Sequence, residues 1–283
     1  MGGIIPPLLF GKITRMHWEN AKDELLKAIG KPRFGLVTDV DGTISPIVDV
    51  PNDACVTPRN LELLADLGAH LTLTAVISGR SANDIYQRVG LPGVVYVGNH
   101  GMEQWANGEV IVSPKAAAYR DNLSAATPEI ERILIAGMRF EDKGATLSVH
   151  YRQTGNPEKV AEELSPSMQS IAEKHGLRLT QGRMVFEFRP PVDIDKGTAF
   201  EELVKEYQLD GALYLGDDTT DVAAFLSARR LRESGECLAY GLGVKSQGTP
   251  QVVITDADYL VQEVAGVESF LDWLSKARMA SST

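Results

Sequence analysis

The chain is poor in cysteine: Cys55 and Cys237 are the only two in 283 residues. Two thiols so far apart exclude a disulfide framework and a four-ligand zinc site, and they fit a reducing compartment. Surplus positive charge is also absent. Lys and Arg number 28 against 38 Asp and Glu, a formal net charge of −10. No broad basic footprint can recruit nucleic acid or an anionic membrane, so an anionic ligand has to be met by a local cationic pocket. Long apolar runs are missing as well. The opening "MGGIIPPLLF" is short, is broken by Pro6 and Pro7, and lacks a basic leader or a small-residue cleavage site. No other run approaches the ~20 apolar residues of a membrane span. Internal repeats and low-complexity linkers do not occur. The expectation is a soluble, cytoplasmic protein with no nucleic-acid and no membrane partner. What is present is an ordinary globular composition, 43% hydrophobic, in a chain long enough for one large α/β domain or two modest ones.

Apolar strand-like runs recur with helical stretches between them: "FGLVTDV", "LTLTAVIS", "VVYVGN" and, after a long interval, "ALYLGDD" and "CLAYGLGV". Runs that are apolar throughout suit strands of a parallel sheet covered on both faces by helices. A doubly wound, Rossmann-like α/β core follows. In "TPRNLELLADLG", Thr57 is the expected N-cap and Pro58 the first helical residue, with Leu61, Leu64 and Ala65 on one side. Ser81 is expected to cap "ANDIYQRVG", which stops at Gly90. From about 114 to 190 the pattern changes. "MRFEDKGATLSVHYR" and "RMVFEFRP" alternate in polarity, as a half-exposed antiparallel sheet does. Between them "NPEKVAEELSPSMQSIAEKHG" reads as helix, with Pro166 marking a break or a second start. The buried-strand pattern then resumes. The expected organisation is a core of residues 1–113 and 191–283 interrupted by a smaller inserted α+β domain at 114–190.

The run "LVTDVDGTIS" leads straight into Asp39 and Asp41, with Gly42 and Thr43 behind them. Residues i and i+2 of an extended chain point the same way. Both carboxylates can therefore face one reacting centre in the crevice at the carboxyl ends of parallel strands. A strand that simply ends in an Asp-Gly turn is the plain alternative. "YLGDDTTD" repeats the arrangement with Asp217 and Asp218, and Asp221 follows one helical turn later. Acids gathered at strand ends repel one another unless a cation neutralises them, and all-oxygen ligation suits Mg²⁺. The alternative is an acidic loop in which Thr219 or Thr220 caps the helix "DVAAFLSARR". Two further features fit a phosphate cradle. "VISGRS" ends a strand at Ser78, offering a hydroxyl and backbone N–H groups at a helix start. Lys196 opens the helix expected in "DIDKGTAFEELVKEY", where a solvated surface lysine is the other reading. His17, His70 and His175 have no partner at metal spacing and are expected at the surface.

Taken in order, Asp-x-Asp-Gly-Thr, a strand-end Ser, a Lys and Gly-Asp-Asp-x-x-Asp resemble the haloacid dehalogenase superfamily of phosphatases. More narrowly, "DVDGTISP", "VISGR", "VGNHGMEQW", "KGATLSVHYR", "DKGTAF" and "GDDTTD" together resemble the trehalose-6-phosphate phosphatase family, from about residue 34 to 275. The resemblance implies that Asp39 attacks phosphorus and becomes an aspartyl phosphate. Asp41 then acts first as general acid to the leaving sugar and afterwards as general base on water. It further implies Mg²⁺ held by Asp39, the backbone carbonyl of Asp41 and Asp217, with Asp221 and Asp218 reaching it through water, while Ser78 and Lys196 hold the phosphoryl oxygens. The chemistry agrees with that division: phosphate monoesters hydrolyse extremely slowly unaided, and a carboxylate nucleophile splits the reaction into two easier steps. A nucleophile has to stay ionised while an acid has to be protonated.

The inserted block resembles that family's cap, which implies that Glu141, Lys143, Arg152 and Glu187 select the substrate. Alternation puts Glu141 with Lys143, Ser148 with His150 and Arg152, and Glu187 with Val185 and Arg189, away from Phe186 and Phe188. Without the resemblance this is an ordinary sheet with its outer face in water. Arg80, Asn99 and His100, on the loops "SGR" and "GNHG", are implied to contact substrate; His100 could equally serve its own loop. Trp105 reads as core rather than as a sugar platform. The sequence departs from the family in having Val222 and Ala223 where two acids usually follow, which loosens the hold on Mg²⁺ or alters the helix start. Ile44 in place of Leu is a minor change. Rival readings are a related phosphatase of sucrose phosphate or mannosyl-phosphoglycerate, and a non-catalytic regulator that binds a sugar phosphate or carries a phospho-aspartate switch. A dehalogenase would need neither the acid at 41 nor the acidic cluster. The substrate would come from a trehalose-6-phosphate synthase on another chain.

Overall fold

The computed structural model describes residues 16–281 apart from 49, 51, 52 and 183; the apolar start of the chain lies outside the described residues. A 3₁₀ turn, Trp18–Ala21, leads into α1 (Lys22–Ile29) and then β1 (Phe34–Thr38). Next come α2 (Pro58–His70), β2 (Leu73–Ile77), α3 (Ala82–Val89), β3 (Val94–Gly98) and a hairpin of β4 (Glu103–Ala106) and β5 (Glu109–Val112). A middle group follows: α4 (Pro114–Ala117), α5 (Arg120–Arg132), β6 (Arg139–Asp142), β7 (Leu147–His150), α6 (Pro157–Lys174), β8 (Arg178–Gly182) and β9 (Val185–Arg189). The chain then resumes with α7 (Lys196–Glu206), β10 (Gly211–Gly216), α8 (Val222–Ser234), β11 (Leu238–Lys245), α9 (Gln251–Asp256), β12 (Tyr259–Gln262) and α10 (Glu263–Ser281).

The large sheet has the order β12-β11-β10-β1-β2-β3-β4-β5, and it is parallel from β12 to β3. The expected apolar runs form its strands because side chains alternate between two buried faces. Leu36, Leu213 and Leu215 point into one core with Leu25, Leu64 and Phe270. Val37 and Tyr214 point into the other with Phe200 and Phe225. Each such fully buried side chain contributes about 1.5–3 kcal/mol, so the sheet is secured from both sides. The fold is the doubly wound α/β architecture. Its strand order reverses between β1 and β10, which places the ends of those two strands at the switch point where such sheets bind ligands.

Strands β6, β7, β9 and β8 make a separate antiparallel sheet. Phe186, Phe188, Val149 and Tyr151 turn toward α5 and α6 and pack with Leu123, Ile130 and Met168. The opposite, polar face looks into a cleft shared with the large sheet rather than into open water. The register aligns Glu141, Ser148, Glu187 and Thr180 in one row across it.

Several local expectations are corrected. Helix α2 has the expected Thr57 cap, whose side chain accepts from the N–H of Asn60, but its buried face is Asn60, Leu63, Leu64 and Leu67, and Leu61 is only partly covered. Pro166 neither breaks nor restarts α6, which runs unbroken past it. It sits on the exposed side, as does Glu162, where water can reach the carbonyl a proline leaves without a donor. The β4–β5 hairpin, β8 and β12 are strands that polarity patterns did not reveal. His175 is largely covered, with Nε2 3.1 Å from Glu129.

Candidate active site

The loop after β1 is tightly wound. Asp39 donates its backbone N–H to Leu215 O at 2.9 Å, the N–H of Gly42 reaches Ser45 O at 2.7 Å, and those of Thr43, Ile44 and Ser45 turn back to Val40 O. Gly42 has φ +82°, and a Cβ there would overlap the Asp217 carboxylate. Only glycine lets the two strand-end loops close so tightly.

Within this frame Asp39 is 4% exposed, Asp217 1% and Asp221 0%. One carboxylate oxygen from each lies within 4.8 Å of the others. Lys196, the first residue of α7, is held by a capping box between Asp195 and Thr198. Its Nζ stands 2.9 Å from Asp39 Oδ1 and 2.7 Å from Asp221 Oδ1. Burial alone would lower the lysine, but the two carboxylates hold it well above its ordinary range. Burial pushes the Asp39 carboxyl up to about 7; Lys196 pulls against this, and Asp221 and Asp41 add to it. One ammonium thus faces three buried carboxylates. That is a donor set of hard oxygens with missing positive charge, and it fits a divalent cation such as Mg²⁺.

The three acids are not equivalent. Asp221 accepts from Lys196, from the Tyr214 hydroxyl at 2.7 Å and from the backbone N–H groups of Asp217 and Asp218 at 3.1 and 2.9 Å. Four donors leave it as the organiser of the loop, so Asp39 and Asp217 are the first candidates to hold a cation. Asp218 is half-buried and lines the cleft. The helix after this loop starts at Val222, preceded by a 3₁₀ turn over Thr219–Asp221.

The cleft beyond these acids has a volume of about 520 Å³. Ser78 enters it from the end of β2, 2% exposed. His100 enters from the loop after β3 in a left-handed conformation, φ 58°. Gly79 makes room for it, because a Cβ there would meet the imidazole. From the antiparallel sheet, Glu187 reaches down with Oε2 3.3 Å from His100 Nε2 and Oε1 3.3 Å from Lys143 Nζ. Burial pushes Glu187 up, yet Lys143, His100 and Arg189 outweigh it and hold the carboxyl well below its usual range. Lys143 also donates to Gly79 O at 3.0 Å. Glu141 accepts from His150 Nε2 at 2.7 Å, and this bond lowers its carboxyl against the effect of burial. Arg152 Nη1 donates to Val48 O at 2.9 Å, which ties the turn after β7 to the loop after β1 across the cleft.

Two of the expected substrate contacts are held by other protein groups in this structure. Asn99 is fully buried and does not line the cleft; its amide donates to Lys143 O at 3.0 Å and accepts from Thr146 Oγ1 at 2.8 Å. Arg80 does line the cleft, but its guanidinium grips Asp41 with both arms, at 2.6 and 2.7 Å, and Asp84 at 2.8 Å. Trp105 stacks on Tyr86 with ring centroids 4.6 Å apart, beside the core. Arg139 and Gln181 also line the cleft with no motif to mark them, and Arg189 joins them from the face that alternation shares with Glu187.

The model of the trehalose-phosphatase family matches residues 37–249, which contain every one of these groups. The chain belongs to the trehalose-phosphatase family. Among curated members, a trehalose-phosphate phosphatase of Mycobacterium bovis is 39% identical over 195 residues, 66% of this chain and 49% of the relative. The trehalose-phosphate phosphatase B of Arabidopsis thaliana is 31% identical over 276 residues, 90% of this chain and 70% of the relative. The chain therefore spans about half the length of the mycobacterial relative. Among solved structures, the C-terminal domain of a C. albicans trehalose-6-phosphate phosphatase superposes with a TM-score of 0.76 at 22% identity, covering 93% of this chain and 99% of that domain. At that identity the likeness concerns the fold. No helix among the described residues is long and apolar enough to cross a membrane.

Proposed function

We propose that this family member is a phosphatase that hydrolyses trehalose 6-phosphate to trehalose and phosphate, through an aspartyl phosphate on Asp39. The observation that carries the reading is the placement of Asp39, against Lys196 and at the switch point, on the floor of a cleft whose opposite wall is the polar row headed by Glu141 and Glu187. A carboxylate placed beside a buried ammonium is suited to attack phosphorus, and the ammonium offsets charge on the phosphoryl oxygens. Asp39 forms the new bond to phosphorus as the bond to the sugar oxygen breaks, and Asp41 gives that oxygen a proton. Water then attacks phosphorus, passes a proton to Asp41 and restores Asp39. Ser78 and the N–H groups around it would hold the phosphoryl oxygens at the start of α3. Asp39 and Asp217 would hold Mg²⁺, with Asp221 and Asp218 as outer partners, and the bound ion would supply further neutralisation of phosphoryl charge.

Residues 114–190 act in this reading as a cap on a core made of 1–113 and 191–283. The cap presents Glu141, Lys143, Arg152 and Glu187 to sugar hydroxyls, for which charged hydrogen-bonding groups are strong partners. Its substrate would come from a trehalose-6-phosphate synthase. Phosphate release from a panel of sugar phosphates, with Mg²⁺ and with chelator, tests the proposal. Metal-dependent release favouring trehalose 6-phosphate supports it; a preference for sucrose phosphate or mannosyl-phosphoglycerate would keep the core chemistry and reassign the cap. No release from any of them would leave a sugar-phosphate-binding regulator.

A further inference from the structure

Arg80 occupies both carboxylate oxygens of Asp41, Nε to Oδ2 at 2.6 Å and Nη2 to Oδ1 at 2.7 Å. Its remaining arm, Nη1, is anchored on Asp84 Oδ2 at 2.8 Å. That same oxygen of Asp84 also takes Arg88 Nε at 2.9 Å, and Arg88 in turn donates to the carbonyl of Ala54. Asp84 itself is fixed in the first turn of α3, where its N–H is capped by Ser81 Oγ at 3.2 Å. The result is a chain of contacts from α3 through one guanidinium to Asp41. The side chains of Arg80 and Arg88 are each only 13% exposed, so neither fork swings freely in solvent.

A carboxylate gripped on both oxygens is fixed in place by the guanidinium, with only its outward lone pairs left to share a proton with a sugar oxygen. Releasing one oxygen frees Asp41 to turn toward a leaving group, while the third arm of Arg80 stays anchored. We propose that Asp84 is a positioning residue for catalysis: it anchors Arg80, which holds Asp41 in a resting pair and hands over one of its oxygens when a phosphate ester enters and takes up one guanidinium arm. Arg80 already lines the cleft into which such an anion fits. This inference rests on the proposed role of Asp41 as the acid that protonates the leaving sugar.

The test exploits the leaving group. A sugar alkoxide needs a proton as the bond to phosphorus breaks, whereas p-nitrophenolate leaves without one. Single-turnover release of trehalose from trehalose 6-phosphate and of p-nitrophenol from p-nitrophenyl phosphate is measured in the Mg²⁺-loaded protein for the wild type, Asp84→Asn, Asp84→Glu and Asp41→Asn. Asp84→Asn is expected to slow trehalose release about tenfold or more and p-nitrophenol release by less than about twofold, a fraction of what a full general acid is worth. Asp84→Glu, which keeps a carboxylate for Arg80, is expected to recover part of the loss. Asp84→Ala, which also removes the anchor of Arg80, serves as the second variant should Asp84→Asn fold poorly, and it should show the same selectivity. Equal slowing of both substrates, or of neither, by Asp84→Asn and Asp84→Ala overturns the inference. Asp41→Asn separates the two levels: if it shows no leaving-group selectivity, the role of Asp41 fails and the inference with it. If it is selective and the other variants are not, only the inference fails.

Discussion

Lys196 Nζ sits 2.9 Å from Asp39 Oδ1, and the two side chains are 3% and 6% exposed. With Asp221 2.7 Å away on its other side, the lysine offsets part of the charge of a pocket of three buried carboxylates. Lys196→Met keeps much of the volume and removes the charge. Breaking a buried pair from one side costs about 3–5 kcal/mol, because the remaining charge is left uncompensated. The variant should unfold at correspondingly lower denaturant concentration and lose about 10²–10³-fold in kcat, the usual worth of one preorganised charge on a transition state. Near-wild-type turnover would remove Lys196 from the reaction.

The same surplus of buried negative charge gives a prediction for metal binding that needs no substrate. Anything that binds only the folded state stabilises it by mass action, about 2.7 kcal/mol at 100 times its Kd. For a chain of this size that corresponds to roughly 5–10 °C in Tm. Mg²⁺ should therefore raise the melting temperature of the wild type, EDTA should reverse the effect, and Asp217→Asn should abolish most of it. A melting temperature indifferent to Mg²⁺ would count against the cation site directly.

Glu187 offers a test by pH. Its carboxyl is held well below the ordinary value of 4.5, since Lys143, His100 and Arg189 outweigh the upward push of burial. A group depressed in the folded state binds fewer protons there than in the unfolded chain, so it stabilises fully above pH 4.5 and loses that contribution as the pH falls toward the folded value. In Glu187→Gln the amide cannot ionise. The difference in unfolding free energy between wild type and variant should be largest near pH 6 and narrow progressively below pH 4.5. Urea unfolding at several pH values measures it, and a difference that widened on acidification would show the sign to be wrong. The variant should also raise KM for trehalose 6-phosphate more than it lowers kcat, because Glu187 stands on the wall proposed to meet the sugar.

How far the sequence discloses this arrangement depends on the range of the interaction. Asp39 and Asp217 are readable because strand ends, two-residue alternation and the acid pair are all local patterns. Lys196 is readable only through its place in the order of motifs, since nothing nearby in the chain marks it as buried. The polar face of the small sheet is likewise visible from alternation, although only the fold decides that it looks into a cleft rather than into water. Arg80 marks the limit. Its neighbours on the chain suggest a phosphate loop, but its bidentate hold on Asp41, 39 positions away, exists only once β1 and β2 lie side by side. Leu61 and Pro166 err for a different reason: helix faces and proline breaks are propensities, and packing on one side with water on the other overrides them.

Asn99 shows what such tertiary ties are worth. It occupies a left-handed conformation, φ 47°, which asparagine tolerates better than most residues. Its amide joins the core loop to Lys143 O and Thr146 Oγ1 of the small sheet. Asn99→Ala removes both bonds in a fully buried place and puts a Cβ with no compensating polar group in a strained conformation. Unsatisfied buried partners and left-handed strain together should cost about 3 kcal/mol. Asn99→Gly relieves the strain and leaves the bonds unmade, so it should be the more stable of the two. Thermal unfolding ranks them. Both should raise KM for the sugar phosphate, because Lys143 is then no longer held in place, while p-nitrophenyl phosphate, which has no sugar for Lys143 to contact, should be turned over nearly as before. If both substrates suffered equally, the tie would be serving the phosphate end of the cleft and not the sugar end.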